Sequence, residues 1–154
     1  LWLEAELGQV GGKPGEPALD AHAPGARTRR GEAVAYVAAT GVDALAVAVG
    51  SSHAMTTRTA SLDHALIAEL RAAVPVPLVL HGSSGVPDGE LRAATAHGMT
   101  KINIGTALNI AFTGAIRGHL TAHTTRTDPR PYLVEARDAM AETVRQLLTV
   151  VAAG

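Results

Sequence analysis

The chain has 154 residues, with 47% hydrophobic and 18% charged residues, a net charge of −1 and no cysteine. This length fits one domain, and the apolar fraction can build a buried core, which excludes a disordered chain. The lack of a basic surplus predicts no nucleic-acid partner, and the lack of cysteine excludes disulfides and thiolate metal ligands, so a metal here must use His, Asp or Glu.

The first forty residues predict one strand, a long loop and a helix. Residues 1–7 alternate apolar and polar side chains, which predicts a short strand with one buried face. Residues 8–30 are rich in Gly, Pro and charge and have no period, and loops of this length inside a domain are usually functional. Residues 32–40 predict a helix that Gly41 terminates.

From residue 44 onward, short apolar strands alternate with amphipathic helices. Strands are predicted at 44–49, 77–80 and 101–104, and helices at 62–73, 87–98, 106–120 and 133–151. Ser61 is the expected N-cap of the first of these helices. Short, wholly apolar strands indicate a parallel sheet covered on both faces, so the fold class is α/β, either a doubly wound sheet or a (β/α)₈ barrel. Runs as short as 44–49 predict no membrane span.

Two histidines stand where parallel α/β folds place their chemistry, at the carboxyl ends of strands. His53 follows the 44–49 strand, and His81 directly follows the 77–80 strand. Neutral imidazoles that converge are good ligands for a divalent cation. A single histidine is more often a packing or surface residue, so spacing alone leaves both interpretations open. The other histidines lack this placement and are expected to pack or face solvent: His22, His64, His97, His119 and His123.

Two glycine-containing loops predict an anion site beside these histidines. Gly82 to Gly85 follow His81, and Asn103 to Thr106 lead into the next helix. Glycine lets backbone N–H groups approach an anion, and a helix N-terminus favours negative charge. For either loop alone, an ordinary strand-to-helix turn is the more common explanation, since Gly and Ser are frequent there.

Four ordered motifs resemble the class II, zinc-dependent fructose- and tagatose-bisphosphate aldolase family. They occupy residues 3–12, 41–53, 77–87 and 101–106, and residues 131–140 are similar to the family's closing helix. The resemblance implies an eight-stranded TIM barrel of which this chain supplies strands five to eight. Residues 1–154 would then be a single, incomplete domain, the C-terminal half of the barrel.

The resemblance also implies the site. His53 and His81 match two of the three histidines that hold the catalytic zinc, and Glu6 matches a carboxylate that binds metal in an alternative position. A second divalent or a monovalent cation is a further implied ligand. The residues that match the segments around the dihydroxyacetone-phosphate end of the substrate are Ala54, Gly82, Ser83, Ser84, Asn103, Ile104, Gly105 and Thr106.

The implied reaction is reversible aldol cleavage of fructose- or tagatose-bisphosphate to dihydroxyacetone phosphate and glyceraldehyde 3-phosphate. Zinc would polarise the ketone and stabilise the enediolate. The implied partner is a phosphorylated sugar, with no nucleic acid and no membrane, in a cytoplasmic protein that forms a homo-oligomer at full length.

The chain departs from the family pattern where catalysis needs it most. The Asp-His pair that supplies the acid/base and the third zinc ligand lies outside these residues, which predicts weak or absent zinc binding and no cleavage by this chain alone. Two alternatives follow: a non-catalytic half-barrel with a vestigial site, or another phosphate-binding βα-barrel enzyme.

Individual positions depart as well. Ala54 stands where the family often has Gly, and Gly105 where some relatives have Asp. Glu16 is the nearest candidate for the mobile-loop proton shuttle, and Arg58 could face a phosphate or solvent. An opened barrel also leaves its first and last strands with unpaired edges, which predicts dimerisation, aggregation or loose packing.

Overall fold

The computed structural model describes residues 1–12, 15 and 20–153. Four parallel strands form one sheet in chain order: β1 (Glu4–Leu7), β2 (Ala44–Val47), β3 (Leu78–Leu80) and β4 (Met99–Ile102). The helices are α1 (Arg30–Thr40), α2 (His64–Ala73), α3 (Asp88–Ala96), α4 (Thr106–Ala122) and α5 (Arg130–Val151), with a 3₁₀ turn at Ser83–Gly85. The predicted α/β class and parallel sheet are confirmed. Within the described residues, no helix has the length and apolar character needed to cross a bilayer.

The two faces of the sheet carry different side chains because successive residues of a strand point to opposite sides. One face packs against helices and holds the main core, in which Leu45, Leu78 and Leu80 are fully buried together with Ile67 of α2. The opposite face holds a small buried cluster of Ala44, Ala46 and Val79. Its neighbours toward the strand ends are polar, and they form the site described below.

β1 and β4 are the edges of the sheet, since within the described part of the chain each pairs with one neighbour only. This agrees with the expectation drawn from the sequence. The self-association of the 154-residue chain stays a prediction: we expect dimers or larger species by light scattering, because each edge presents unpaired backbone groups. A monodisperse monomer would contradict it.

β1 begins three residues later than predicted, at Glu4 rather than at residue 1. Leu1 and Leu3 are exposed, so half of the predicted apolar face has no core to enter. Asp43 explains the boundary, because its carboxylate accepts the Leu3 N–H at 2.7 Å and replaces a strand partner there.

β3 begins at Leu78, one residue later than predicted, whereas β2 and β4 each end two residues earlier than predicted, where their partner strands end. β2 stops at Val47 instead of residue 49, since the Ala48 N–H and C=O both bond to Thr28. β4 covers Met99–Ile102 instead of 101–104. The carbonyl of Leu80, the last residue of β3, accepts the Asn103 N–H at 2.9 Å, and beyond it β4 has no strand residue with which to pair. Beyond these points the chain turns toward the following helix.

The N-cap of α2 is Asp63, not Ser61 as predicted. The Asp63 side chain accepts the Leu66 N–H at 3.0 Å, while the Leu62 N–H is bonded to Glu90 at 2.8 Å. Helix α5 likewise starts at Arg130, before the predicted 133, since Pro131 is tolerated in a first helical turn.

Thr28 joins the carboxyl ends of β1 and β2. Its buried hydroxyl donates to the Leu7 carbonyl and accepts the Ala48 N–H at 2.8 Å, and its own N–H donates to the Ala48 carbonyl at 2.9 Å. The far end of the long loop is therefore anchored to both strands.

Replacing Thr28 with Val is expected to lower the free energy of unfolding by about 2–3 kcal/mol, because the isosteric side chain leaves the half-buried Leu7 carbonyl and the buried Ala48 N–H without this partner. Chemical denaturation measures this. Thr40→Val is the control, since Thr40 is exposed and its hydroxyl donates to the Tyr36 carbonyl of its own helix. Equal effects of the two substitutions would contradict the role given to Thr28.

Candidate metal centre and anion pocket

Glu6, His53 and His81 converge at the carboxyl ends of the strands. Each offers one ligand atom, and these three atoms lie within 4.8 Å of one another. Glu6 comes from β1, His53 from the loop after β2 and His81 from the residue directly after β3. Glu6 Oε2 lies 2.6 Å from His81 Nδ1 and 3.5 Å from His53 Nε2.

The donor set fits a divalent cation. His53 Nε2 is buried and, among the residues that the structure describes, has no hydrogen-bond partner, which is a costly state for a polar atom unless a ligand completes it. Two imidazole nitrogens and one carboxylate oxygen are a set that zinc accepts. Because Glu6 and His81 already contact each other, a cation must displace that contact. We therefore expect reversible uptake of added zinc rather than zinc retained through purification.

A second carboxylate, Glu4, lies on the other side of the His81 ring. Its Oε1 is 2.8 Å from His81 Nε2, and its Oε2 accepts from Lys101 Nζ at 2.8 Å. Asn103 Nδ2 donates to Glu4 Oε1 at 3.3 Å. Burial raises the pKa of Glu4, but the hydrogen bonds from Lys101 and His81 outweigh it and hold the pKa below its usual value, so Glu4 is ionised.

The backbones of both histidines are held by small residues. The His53 N–H donates to the Gly11 carbonyl at 2.6 Å, and Ser51 Oγ donates to the His81 carbonyl at 2.7 Å. Gly12 has φ +84°, and a Cβ on it would lie 2.1 Å from the His53 carbonyl oxygen. The glycine pair at the start of the long loop therefore sets the position of His53.

A cavity of about 540 Å³ opens beside the three candidate ligands. All eight residues predicted to surround the substrate line it, together with His53, His81 and Ile102: Ala54, Gly82, Ser83, Ser84, Asn103, Ile104, Gly105 and Thr106. Thus the fold brings the two predicted loops together on one side of the metal candidates. The first turn of α4, which begins at Thr106, opens into this cavity and favours an anion there.

The two serine hydroxyls are engaged within the protein. Ser83 is buried and donates to the Leu80 carbonyl at 3.1 Å. Ser84 Oγ accepts the Ala107 N–H at 3.0 Å and thereby caps α4, whose own N-cap residue Gly105 has no side chain. The Ser83 hydroxyl is thus structural, and the Ser84 hydroxyl joins the two loops.

Ala54 has φ +57° and is the one non-glycine residue with a positive φ in the described part of the chain. This is the position at which the resembling family often has Gly. The left-handed conformation costs an L-residue roughly 1–2 kcal/mol.

Ala54→Gly is therefore expected to raise the free energy of unfolding by about 0.5 kcal/mol, since relief of the strain exceeds the added unfolded-state entropy. Thermal denaturation tests this. The control is Ala65→Gly, on the exposed side of α2, where the same substitution should lower stability by about 1 kcal/mol. A lower free energy of unfolding in Ala54→Gly would show that the backbone of Ala54 is not strained.

The remaining candidates lie elsewhere. Arg58 donates to the Val86 carbonyl at 2.6 Å and pairs with Asp88, so it fastens the loop after β2 to the start of α3. Glu16 lies outside the described residues. Of the five other histidines, His119 is buried and pairs with Glu135 at 3.0 Å, as expected for a packing residue.

Glu4 and Lys101 were not singled out by the sequence. The sequence did contain a signal for both residues, because side chains two positions apart on a strand lie on the same face of the sheet. Glu4 therefore projects with Glu6, and Lys101 with Asn103.

The fold and site define a parallel α/β protein with a candidate divalent-metal centre and an anion pocket at the strand ends. The chain belongs to the class-II fructose-bisphosphate aldolase family, whose model matches residues 1–153. This confirms the resemblance seen in the sequence.

Solved structures agree with the family assignment. The YdjI aldolase from Escherichia coli K12 is 30% identical over 99% of this chain, with a TM-score of 0.77. A Coccidioides immitis protein assigned as a fructose-1,6-biphosphate aldolase is 26% identical over 97%, with a TM-score of 0.79. The fructose-bisphosphate aldolase from Campylobacter jejuni, 19% identical over 99% with a TM-score of 0.75, supports the fold alone. The chain spans 50% to 52% of the length of these structures.

Proposed function

We propose that this chain provides the metal and phosphate sites of a zinc-dependent ketose-bisphosphate aldolase. In this proposal β1 to β4 are strands five to eight of a (β/α)₈ barrel, and residues 1–154 are one incomplete domain. The enzyme would be a cytoplasmic homo-oligomer that reversibly cleaves fructose- or tagatose-bisphosphate. The observation that carries the proposal is the convergence of Glu6, His53 and His81 beside a cavity lined by both glycine-containing loops.

Each part of the site has a chemical task in this proposal. Glu6, His53 and His81 would hold the cation, which supplies Lewis-acid polarisation of the substrate ketone. The loop from Gly82 to Ser84 and the first turn of α4 would orient the phosphate at the dihydroxyacetone end, because their backbone N–H groups and the helix dipole favour an anion. The proton-transferring acid/base of the family has no match in these residues and is proposed to lie outside them.

The test is an assay of the complete open reading frame that contains this chain. We expect cleavage of fructose- or tagatose-bisphosphate, detected by coupling triose-phosphate release to NADH oxidation. A chelator should abolish it, and added zinc should restore it. The 154-residue chain alone should show no cleavage. Folded, zinc-replete full-length protein that cleaves neither substrate would overturn the proposal and favour a vestigial site.

A further inference from the structure

We infer that Glu4 orients the His81 ring so that one chosen nitrogen, Nδ1, is presented to the metal site. The inference concerns a positioning residue, and it rests on the proposed metal-dependent function. Glu4 is not a member of the ligand cluster formed by Glu6, His53 and His81. It acts from the opposite side of the ring.

The hydrogen-bond geometry determines which nitrogen is available. Glu4 accepts hydrogen bonds from Lys101 and Asn103, so in its 2.8 Å contact with His81 it is the acceptor as well and Nε2–H is the donor. A protonated nitrogen cannot be a metal ligand. The other nitrogen, Nδ1, lies 2.6 Å from Glu6 Oε2, so in the metal-free protein it also contacts a carboxylate, but Glu6 is a candidate ligand and His53 points to the same side. A cation bound there would take the place of the proton between Glu6 and Nδ1, whereas Glu4, which lies outside the cluster, would keep the Nε2–H. A carboxylate that takes the second N–H of a ligating histidine fixes both its tautomer and its ring orientation.

Glu4 can do this because it is itself held in place. Its Oε2 accepts from Lys101 Nζ, and its Oε1 accepts from Asn103 Nδ2 in addition to His81. Lys101 also donates to Asn103 Oδ1 at 2.7 Å, which closes the network. The Glu4 side chain is only 17% exposed, so water competes little for these bonds. The network spans the sheet from its first strand to its last.

The same network distinguishes Glu4 from Glu6, although both project from one face of β1. Both Glu4 oxygens are occupied by donors on the far side of the ring, whereas Glu6 Oε2 faces the atoms that would hold the cation. Glu4 therefore positions a ligand, and Glu6 supplies one.

Three variants of the 154-residue chain test the inference: Glu4→Ala, Glu4→Gln and the control Glu90→Gln. Glu90 is also a partly buried carboxylate paired with a histidine, His64 at 3.1 Å, but it lies outside the site. Zinc affinity is measured by competition with a chromophoric chelator. The metal-free ring is followed by the NMR signal of the His81 Nε2–H, and circular dichroism checks folding.

We expect Glu4→Ala to weaken zinc binding about 10- to 100-fold and to abolish the protected Nε2–H signal. Glu4→Gln should recover most of both, because its amide oxygen accepts the same proton. Glu90→Gln should bind zinc as the wild type does. Wild-type zinc affinity in Glu4→Ala, or persistence of the protected signal there, would overturn the inference.

Failure of the wild-type chain to take up added zinc would mean that its three donors do not suffice without the family's third histidine, which concerns the proposed ligand set and not Glu4. The Nε2–H signal of the metal-free protein then decides the inference separately. Its loss in Glu4→Ala and return in Glu4→Gln would support a carboxylate that fixes the ring, and its persistence in Glu4→Ala would overturn it.

Discussion

Replacing Gly12 with Ala is expected to lower the free energy of unfolding by about 3 kcal/mol or more and to displace His53 from the metal centre. The added Cβ would lie 2.1 Å from the His53 carbonyl oxygen, so one of the two segments must move. That movement breaks the 2.6 Å hydrogen bond from the His53 N–H to the Gly11 carbonyl. Zinc affinity should therefore fall together with stability.

Gly25→Ala separates the steric clash from the backbone strain. Gly25 has φ +83°, nearly the value of Gly12, but a Cβ there meets no atom of the described residues within 4 Å. We expect a loss of about 1 kcal/mol and unchanged zinc affinity, since only the left-handed conformation is penalised. Denaturation curves and zinc titrations of both variants make the comparison. Similar losses in the two proteins would refute the contact between the glycine pair and His53.

Replacing His53 with Ala is expected to weaken zinc binding by about 100-fold or more, because a three-donor site loses one of its ligands. The free energy of unfolding of the metal-free protein should change little or rise, since the substitution removes a buried nitrogen that has no hydrogen-bond partner within the described part of the chain. This combination separates a ligand from a packing residue. A histidine that served the core would show a loss of stability with little change in zinc affinity.

His97→Ala is the matched control, because His97 follows α3 at the opposite end of β4 and its exposed ring bonds to the Ala93 carbonyl of its own helix. We expect its zinc affinity to equal that of the wild type. Equal zinc affinity of His53→Ala and the wild type would show that His53 is not a metal ligand. The proposed function would then lose its strongest support.

The sequence alone predicted the elements and the general position of the site. Short apolar strands separated by amphipathic helices indicated a parallel sheet, and that indication was correct because burial on both faces produces near-continuous apolar runs. The sequence also predicted that the two histidines and the two glycine-containing loops lie together, because parallel strands bring their carboxyl ends to one edge of the sheet. Element boundaries were less accurate, as the two-residue displacement of β4 illustrates.

The tertiary structure decided which side chains meet. Lys101 contacts Glu4 across 97 residues of sequence, and Thr28 joins two strands from the end of a loop without any period. Gly12 is critical only because the His53 carbonyl passes beside it. Periodicity assigns a residue to a face of its strand or helix, and this the sequence determines locally. Contact between distant residues depends on strand register and on the path of each loop, which arise only when the whole sheet packs.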